Sequence, residues 1–240
     1  MTAAADQRIH SATRRHVRCR VGVVTPFLYP GGAEQATLDV LGGLDPERFK
    51  IVGTAVTTGS MNLEMMSRRY EELAPVVHGR EEAIRLTSRC DVVLCWGVNV
   101  GSFLPHAGRS PAVVMASHST SEMPYATFTQ ARSSPFVDRF VAVSRAALSS
   151  IPPDRRADTL IIHHAVDPNR IHATRSRAEV LGAWGIDPGR MIIGALGRIA
   201  PEKRPQRFVD VVAALPQDFV GVMVGAGLMA DKVRTYAERV

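Results

Sequence analysis

Short apolar runs rich in β-branched residues alternate along this chain with segments whose apolar residues recur at helical spacing. The runs fall at residues 21–24, 51–56, 91–96, 112–116, 140–143, 160–162, 191–196 and 220–224. Helical patterns lie at 33–44, 64–73, 81–88, 144–151, 178–184, 206–215 and 231–240. Strands separated by helices pair in parallel, because the helix supplies the crossover that a hairpin turn cannot. The expected class is therefore α/β, with parallel sheets covered on both faces and ligands beyond the carboxyl ends of the strands. Residues 167–190 are polar, rich in Arg and without a strand signal until Met191. They divide the chain into a basic disordered tail (1–16), a first domain (17–165), a connection (166–190) and the start of a second domain (191–240). The last segment is too short to cover both faces of a parallel sheet, and residue 240 lies inside a helical pattern with no glycine stop. The expectation is a chain cut short within its second domain.

Bulk composition narrows the function classes. The 240 residues are 45% hydrophobic and 22% charged, as in ordinary globular proteins. No apolar run approaches the roughly 18 residues that a membrane-spanning helix needs. Cys19, Cys90 and Cys95 form no Cys-x-x-Cys pair, and their odd number argues against a disulfide framework, so a reducing cytoplasm is expected. The net charge of +6 suits anionic partners. Part of it lies in RIHSATRRHVRCR, residues 8–20, where a solvated tail and an electrostatic tether to the inner face of an anionic membrane are both open readings. Nucleic acid is not an expected partner, because aromatic residues are only 6% and scattered.

Several chemistries lack their signatures. No Gly-x-Gly-x-x-Gly follows the first strand, and there is no Gly-x-x-x-x-Gly-Lys, His-Glu-x-x-His or Gly-x-Ser-x-Gly. Ser144 reads as a helix cap rather than a nucleophile. His163 and His164 are adjacent, a poor spacing for joint metal ligation on a strand. No metal and no cofactor is expected.

Two stretches carry candidate chemistry. In VGVVTPFLYPGGAEQATLDVL, residues 21–41, a buried strand runs through Pro30, Gly31 and Gly32 into a helix with apolar positions Ala33, Ala36, Val40, Leu41 and Leu44. The glycines offer unusual backbone angles and leave the free N–H groups of the helix start open to an anion. A tight connection that binds nothing is the other reading. In GALGRIAPEKRPQRFVDVV, residues 194–212, Arg198 and Lys203 follow a strand end. Pro205 fits the first turn of a helix with an expected buried stripe of Phe208, Val211, Val212 and Leu215. Two such cations suit a diphosphate, whereas a solvated loop with Glu202 pairing locally is equally legible. His118, in MASHSTS after a strand, reads by itself as a hydrogen-bonded loop histidine.

Together these segments resemble the GT-B glycosyltransferases of the group 1 (family 4) type, which are retaining enzymes. The Pro30–Glu34 loop is similar to that family's first-domain glycine loop. DRFVAVSRAAL (138–148), IIHHAVDPNRI (161–171), GRIAPEK (197–203) and VGVMVGAGLMADKV (220–233) resemble further motifs in the family's order. The resemblance implies two Rossmann-like domains, a GT-B N-terminal half followed by a truncated second domain. It implies a nucleoside-diphosphate-sugar donor and an acceptor, of unidentified class, held mainly by the first domain. Arg198 and Lys203 match the residues that neutralise the donor diphosphate, Gly32 matches the loop glycine facing it, and His118 matches a histidine near the sugar. His164-Ala165 stands where the family has Asn-Gly, and Arg204 where a glycine follows the lysine. The family's later two-glutamate motif does not occur, so residues 1–240 alone are expected not to turn over. The alternatives are a non-catalytic nucleotide-sugar or acceptor-binding protein and a GT-B nucleotide-sugar epimerase.

Overall fold

The computed structural model describes residues 17–58, 64–106 and 110–240. The basic tail assigned to residues 1–16 lies outside them. The described residues divide into two compact units, one ending at Ala165 and the other beginning at Val166.

The first unit is built on strands β1 (Cys19–Thr25), β2 (Phe49–Val56), β3 (Val76–His78), β4 (Val92–Cys95), β5 (Ala112–Ser117), β6 (Arg139–Ala142) and β7 (Leu160–Ile161). They form one parallel sheet in the order β3-β2-β1-β4-β5-β6-β7. The order reverses at β1/β4, the switch point at which ligand crevices open in such sheets. Helices α1 (Gly32–Gly42), α2 (Glu64–Glu71), α3 (Arg80–Thr87) and α4 (Pro124–Ser133) supply crossovers. Strand β1 is the most buried, with Val21 through Thr25 all inaccessible, as its continuous apolar run requires. Its start is pinned to β4 by Arg20, whose guanidinium makes a two-pronged contact with the Asp91 carboxylate at 3.1 Å.

The expectation that both faces of the sheet are covered holds for β1 but not for β4 to β6. Val93, Cys95, Val113, Met115, Phe140 and Ala142 are buried on one face. Their alternate neighbours Leu94, Val114, Ala116, Val141 and Val143 are only half-buried on the other, among the described residues. Helix α1 departs from its reading in a related way. It buries Glu34, Thr37, Leu38 and Leu41, while Val40 is 53% exposed. The apolar side chains Ala36 and Val40 face a cavity instead of the core.

Two elements escape a reading based on apolar spacing. Strand β3 has only three residues. Helix α4 packs through polar side chains, since Thr129, Gln130 and Ser133 are its most buried positions. Ser133 Oγ accepts the Val100 N–H at 3.0 Å and donates to the Val98 carbonyl at 3.1 Å. The helix expected over 144–151 shrinks to a 3-10 segment, Ala146–Ser150, which stops before Pro152-Pro153. Ser144 does act as a cap there, its Oγ accepting the Ala147 N–H at 3.1 Å.

The second unit contains helix α5 (Arg177–Ala183), strand β8 (Met191–Leu196), helix α6 (Pro205–Ala213), strand β9 (Phe219–Val224) and helix α7 (Ala230–Ala237). Strands β8 and β9 pair in parallel over their full length. Helix α5 begins with a reciprocal capping box between Ser176 and Glu179. The stripe expected on α6 is corrected at one position: Phe208, Val212 and Leu215 are half-buried, but Val211 is 51% exposed.

Candidate functional site

In the first unit Gly31 and Gly32 follow β1 and His118 follows β5. A cavity of about 450 Å³ lies along the half-covered face of the sheet, and of these three only His118 is among the residues lining it. Its walls are mostly apolar, from α1, β4, β5 and β6, and its polar members include Trp96, His118, His163 and His164. His118 follows directly on β5, and a buried polar network fixes that strand end. Ser117 and Ser150 share a hydrogen bond of 2.7 Å, and Gln130 of α4 donates to both hydroxyls at 3.0 and 3.1 Å. Ile162 N–H donates to the Ala142 carbonyl at 3.0 Å, which carries the chain past β7 and sets His164 beside His118.

The two imidazoles stack, with centroids 5.1 Å apart and planes 15° from parallel, and His118 Nδ1 lies 3.3 Å from His164 Nε2. The edge of Trp96 approaches His118 at 6.1 Å between centroids. Burial, and then the neighbouring His164, push His118 down to about 4, so its ring is neutral at pH 7. His118 Nε2 and Trp96 Nε1 are both buried and, among the described residues, have no hydrogen-bond partner. Two unpaired nitrogens on residues that line one cavity are costly unless a ligand or water satisfies them. Sequence reading found His118 but neither Trp96 nor the pairing with His164, which no local spacing encodes. Among the described residues no cluster of three or more potential metal ligands occurs.

The structure separates the two roles expected of the glycine loop. Neither Gly31 nor Gly32 adopts a positive φ, and Gly31 is extended at φ −155°. The turn therefore does not need the backbone freedom of glycine. A Cβ at Gly32 would meet nothing within 4 Å, so what glycine provides there is open space in front of the first turn of α1. At Gly31 a Cβ would come 2.6 Å from Glu34 Oε2. Glu34 is 4% exposed, and its carboxylate in the first turn already meets the positive end of the helix dipole, offsetting part of the pull on an incoming anion.

In the second unit Arg198 and Lys203 lie in the loop after β8. That loop is braced by the turn after β9. Gly197 N–H donates to the Val224 carbonyl (3.1 Å), Ile199 N–H to the Ala226 carbonyl (2.9 Å) and Met229 N–H to the Ile199 carbonyl (3.1 Å). Arg198 pairs with Glu202 at 3.1 Å, the local partnership foreseen in the solvated-loop reading, while both side chains remain partly exposed. Such a pair contributes little to stability and is open to competition by a phosphate. Among the described residues Lys203 makes no ion pair.

Arg204 is the sole non-glycine residue with positive φ among those described, at φ 48° and ψ 53°. It precedes Pro205, which disfavours most conformations other than extended ones. A glycine would adopt this conformation without the steric cost of a Cβ. Arg204→Gly removes a left-handed cost of about 1–2 kcal/mol and adds roughly 0.5–1 kcal/mol of unfolded-state entropy. A net gain of about 0.5–1 kcal/mol in the second unit is expected from urea denaturation; a loss would mean that the Arg204 side chain contributes contacts of its own.

No protein-family model and no curated protein match the sequence. Solved structures do resemble it. HepE of Anabaena, solved with UDP and glucose, aligns at 14% identity with a TM-score of 0.77, over 92% of this chain and 66% of its own. A Listeria monocytogenes protein described as a UDP-N-acetylglucosamine 2-epimerase aligns at 14% identity and TM-score 0.59, over 93% of this chain and 66% of its own. An alpha-glucosyltransferase bound to UDP-glucose and abasic DNA aligns at 14% identity and TM-score 0.60, over 93% and 61% respectively. The chain thus spans just under two thirds of the length of these proteins. At such identity the likeness establishes the fold, and the fold is the α/β, Rossmann-like architecture of GT-B proteins.

Proposed function

We propose that this chain belongs to a retaining glycosyltransferase that moves a sugar from a nucleoside-diphosphate donor to an acceptor. The observation that carries the reading is positional. Gly31–Gly32, His118 and Arg198–Lys203 each follow the carboxyl end of a parallel strand, where α/β folds hold ligands. Structural neighbours solved with UDP and UDP-glucose support a uridine nucleotide-sugar as the donor. In this reading Arg198 and Lys203 offset the negative charge that grows on the departing diphosphate, the largest electrostatic demand of the reaction. Gly32 gives the donor close access to the start of α1. Neutral His118 offers a hydrogen bond to a hydroxyl without attracting phosphate. The basic residues 8–20 tether the protein to anionic membrane.

The fold likeness to a protein described as a 2-epimerase favours a second reading, isomerisation of the nucleotide-sugar without an acceptor. Titration calorimetry of residues 1–240 with UDP-glucose, UDP and glucose tests the donor site. UDP-glucose and UDP are expected to bind and glucose alone not to. Gly32→Val is expected to weaken UDP-glucose about tenfold or more with no loss of thermal stability, because the space its side chain enters is empty of protein. Equal binding by the variant would return the loop to a plain connection. Appearance of an epimerised sugar nucleotide with no acceptor added would favour the second reading.

A further inference from the structure

The His118–His164 pair is more specific than a histidine lining a cavity. His164 stands after β7, within IIHHAVDPNRI, where the resemblance assigns it no role, yet its ring lies nearly parallel to that of His118 and, among the described residues, its Nε2 is the hydrogen-bond partner of His118 Nδ1. A neutral imidazole carries one N–H and one lone pair. The hydrogen bond engages Nδ1, so the nature of Nε2, which has no partner, follows from which nitrogen holds the proton. A buried donor without a partner is rarer and costlier than an under-used acceptor. The favourable arrangement therefore has Nδ1–H donating to His164 Nε2, with the Nε2 lone pair of His118 left without a partner. Trp96 lines the same cavity, and its Nε1–H has no partner among the described residues either. An unpaired acceptor and an unpaired donor together match a hydroxyl, which can both give and take a hydrogen bond.

We propose that His164 is a positioning residue that holds His118 in the Nδ1–H tautomer, leaving Nε2 as an acceptor for a ligand hydroxyl. The ligand part of this inference rests on the glycosyltransferase reading, in which the hydroxyl belongs to the sugar or the acceptor; the tautomer part does not. Other titratable groups on the cavity wall do not supply the missing partner. Burial keeps Cys95 a thiol, and its Sγ is directed at the Val114 carbonyl at 3.6 Å. Asp39 accepts from Gln35 Nε2 at 2.7 Å. His163 is adjacent to His164 in sequence and is exposed.

Nitrogen-15 NMR of the imidazoles in residues 1–240 tests the proposal without any donor or turnover. Loss of one signal set in His118→Asn assigns His118. The wild-type ring is expected to be neutral and predominantly Nδ1–H between pH 6 and 8. His164→Phe keeps a flat ring beside His118 but removes the hydrogen bond, and the tautomer ratio is expected to move roughly three- to tenfold toward Nε2–H. His164→Gln retains a polar group of similar reach and is expected to restore part of the wild-type ratio. Wild-type His118 in the Nε2–H form, or a ratio unchanged in His164→Phe, overturns the proposal. Failure of UDP-glucose to bind at all would sink the glycosyltransferase reading while leaving the tautomer result standing, so the two ideas fail separately.

Discussion

Gly225→Ala is expected to unfold the second unit while leaving the first intact. Gly225 sits at φ 156°, and a Cβ built there would strike the carbonyl oxygen of Gly197. Gly227, two residues on, would likewise strike the Ile199 carbonyl. These glycines are what allow the turn after β9 to lie against the loop after β8 and to make the backbone bonds that hold Arg198 and Lys203 in place. A methyl group here meets backbone, which cannot rotate away as a side chain can. The combined cost of overpacking and conformational strain is about 3–5 kcal/mol, close to the whole stability of a small α/β unit. Amide hydrogen exchange provides the measurement: protection at Met191–Leu196 and Phe219–Val224 is expected to collapse, with Val21–Thr25 unchanged. Gly194→Ala is the control, since a Cβ there meets nothing within 4 Å and is expected to be tolerated. Equal tolerance of both substitutions would mean that the two loops are not packed as described.

The glycines illustrate which parts of the structure the sequence announces. Gly225-Ala226-Gly227 follows an apolar run and signals a turn, but nothing local says that the turn braces another loop. That relation depends on β8 and β9 pairing across some thirty residues. The central strands were legible because a strand buried on both sides is a continuous apolar run. Helix α4 was not, because its buried face is Thr129, Gln130 and Ser133, and a period count that looks for apolar residues sees no helix. Pro124 at its first turn was the available signal. The same distinction divides the site. Gly32, His118, Arg198 and Lys203 could be placed after strand ends from sequence. The burial of Glu34 in the first turn of α1 could not, nor could the approach of Trp96 and His164 to His118, because these are tertiary contacts between residues far apart in the chain. Of the two reasons read for Gly32, backbone freedom falls away and open space before the helix start stays. For Arg204 the structure supplied the backbone angle that the residue type concealed.

Lys203→Ala is expected to weaken UDP binding by roughly 10- to 150-fold, the loss of about 1.5–3 kcal/mol that accompanies removal of a charge-assisted contact to phosphate. Lys203 is exposed and, among the described residues, makes no ion pair, so the substitution should leave folding unchanged and the effect should appear in affinity alone. Arg198 differs because it already faces Glu202 at 3.1 Å. Arg198→Ala removes a cation and also leaves the Glu202 carboxylate unneutralised near the incoming diphosphate, so its effect on affinity should exceed its own contact. Glu202→Gln reverses the sign. It frees Arg198 and removes a repelling charge, and UDP is expected to bind about two- to fivefold more tightly, a modest gain because exposed charges are screened by solvent and salt. Calorimetry of the three variants with UDP, at low salt and at 0.5 M, separates the contributions: the Glu202→Gln gain should fade with salt, whereas a loss at Lys203 that reflects direct contact should largely persist. Wild-type affinity in Lys203→Ala, together with no gain in Glu202→Gln, would show that this loop is a solvated surface and that the diphosphate is held elsewhere.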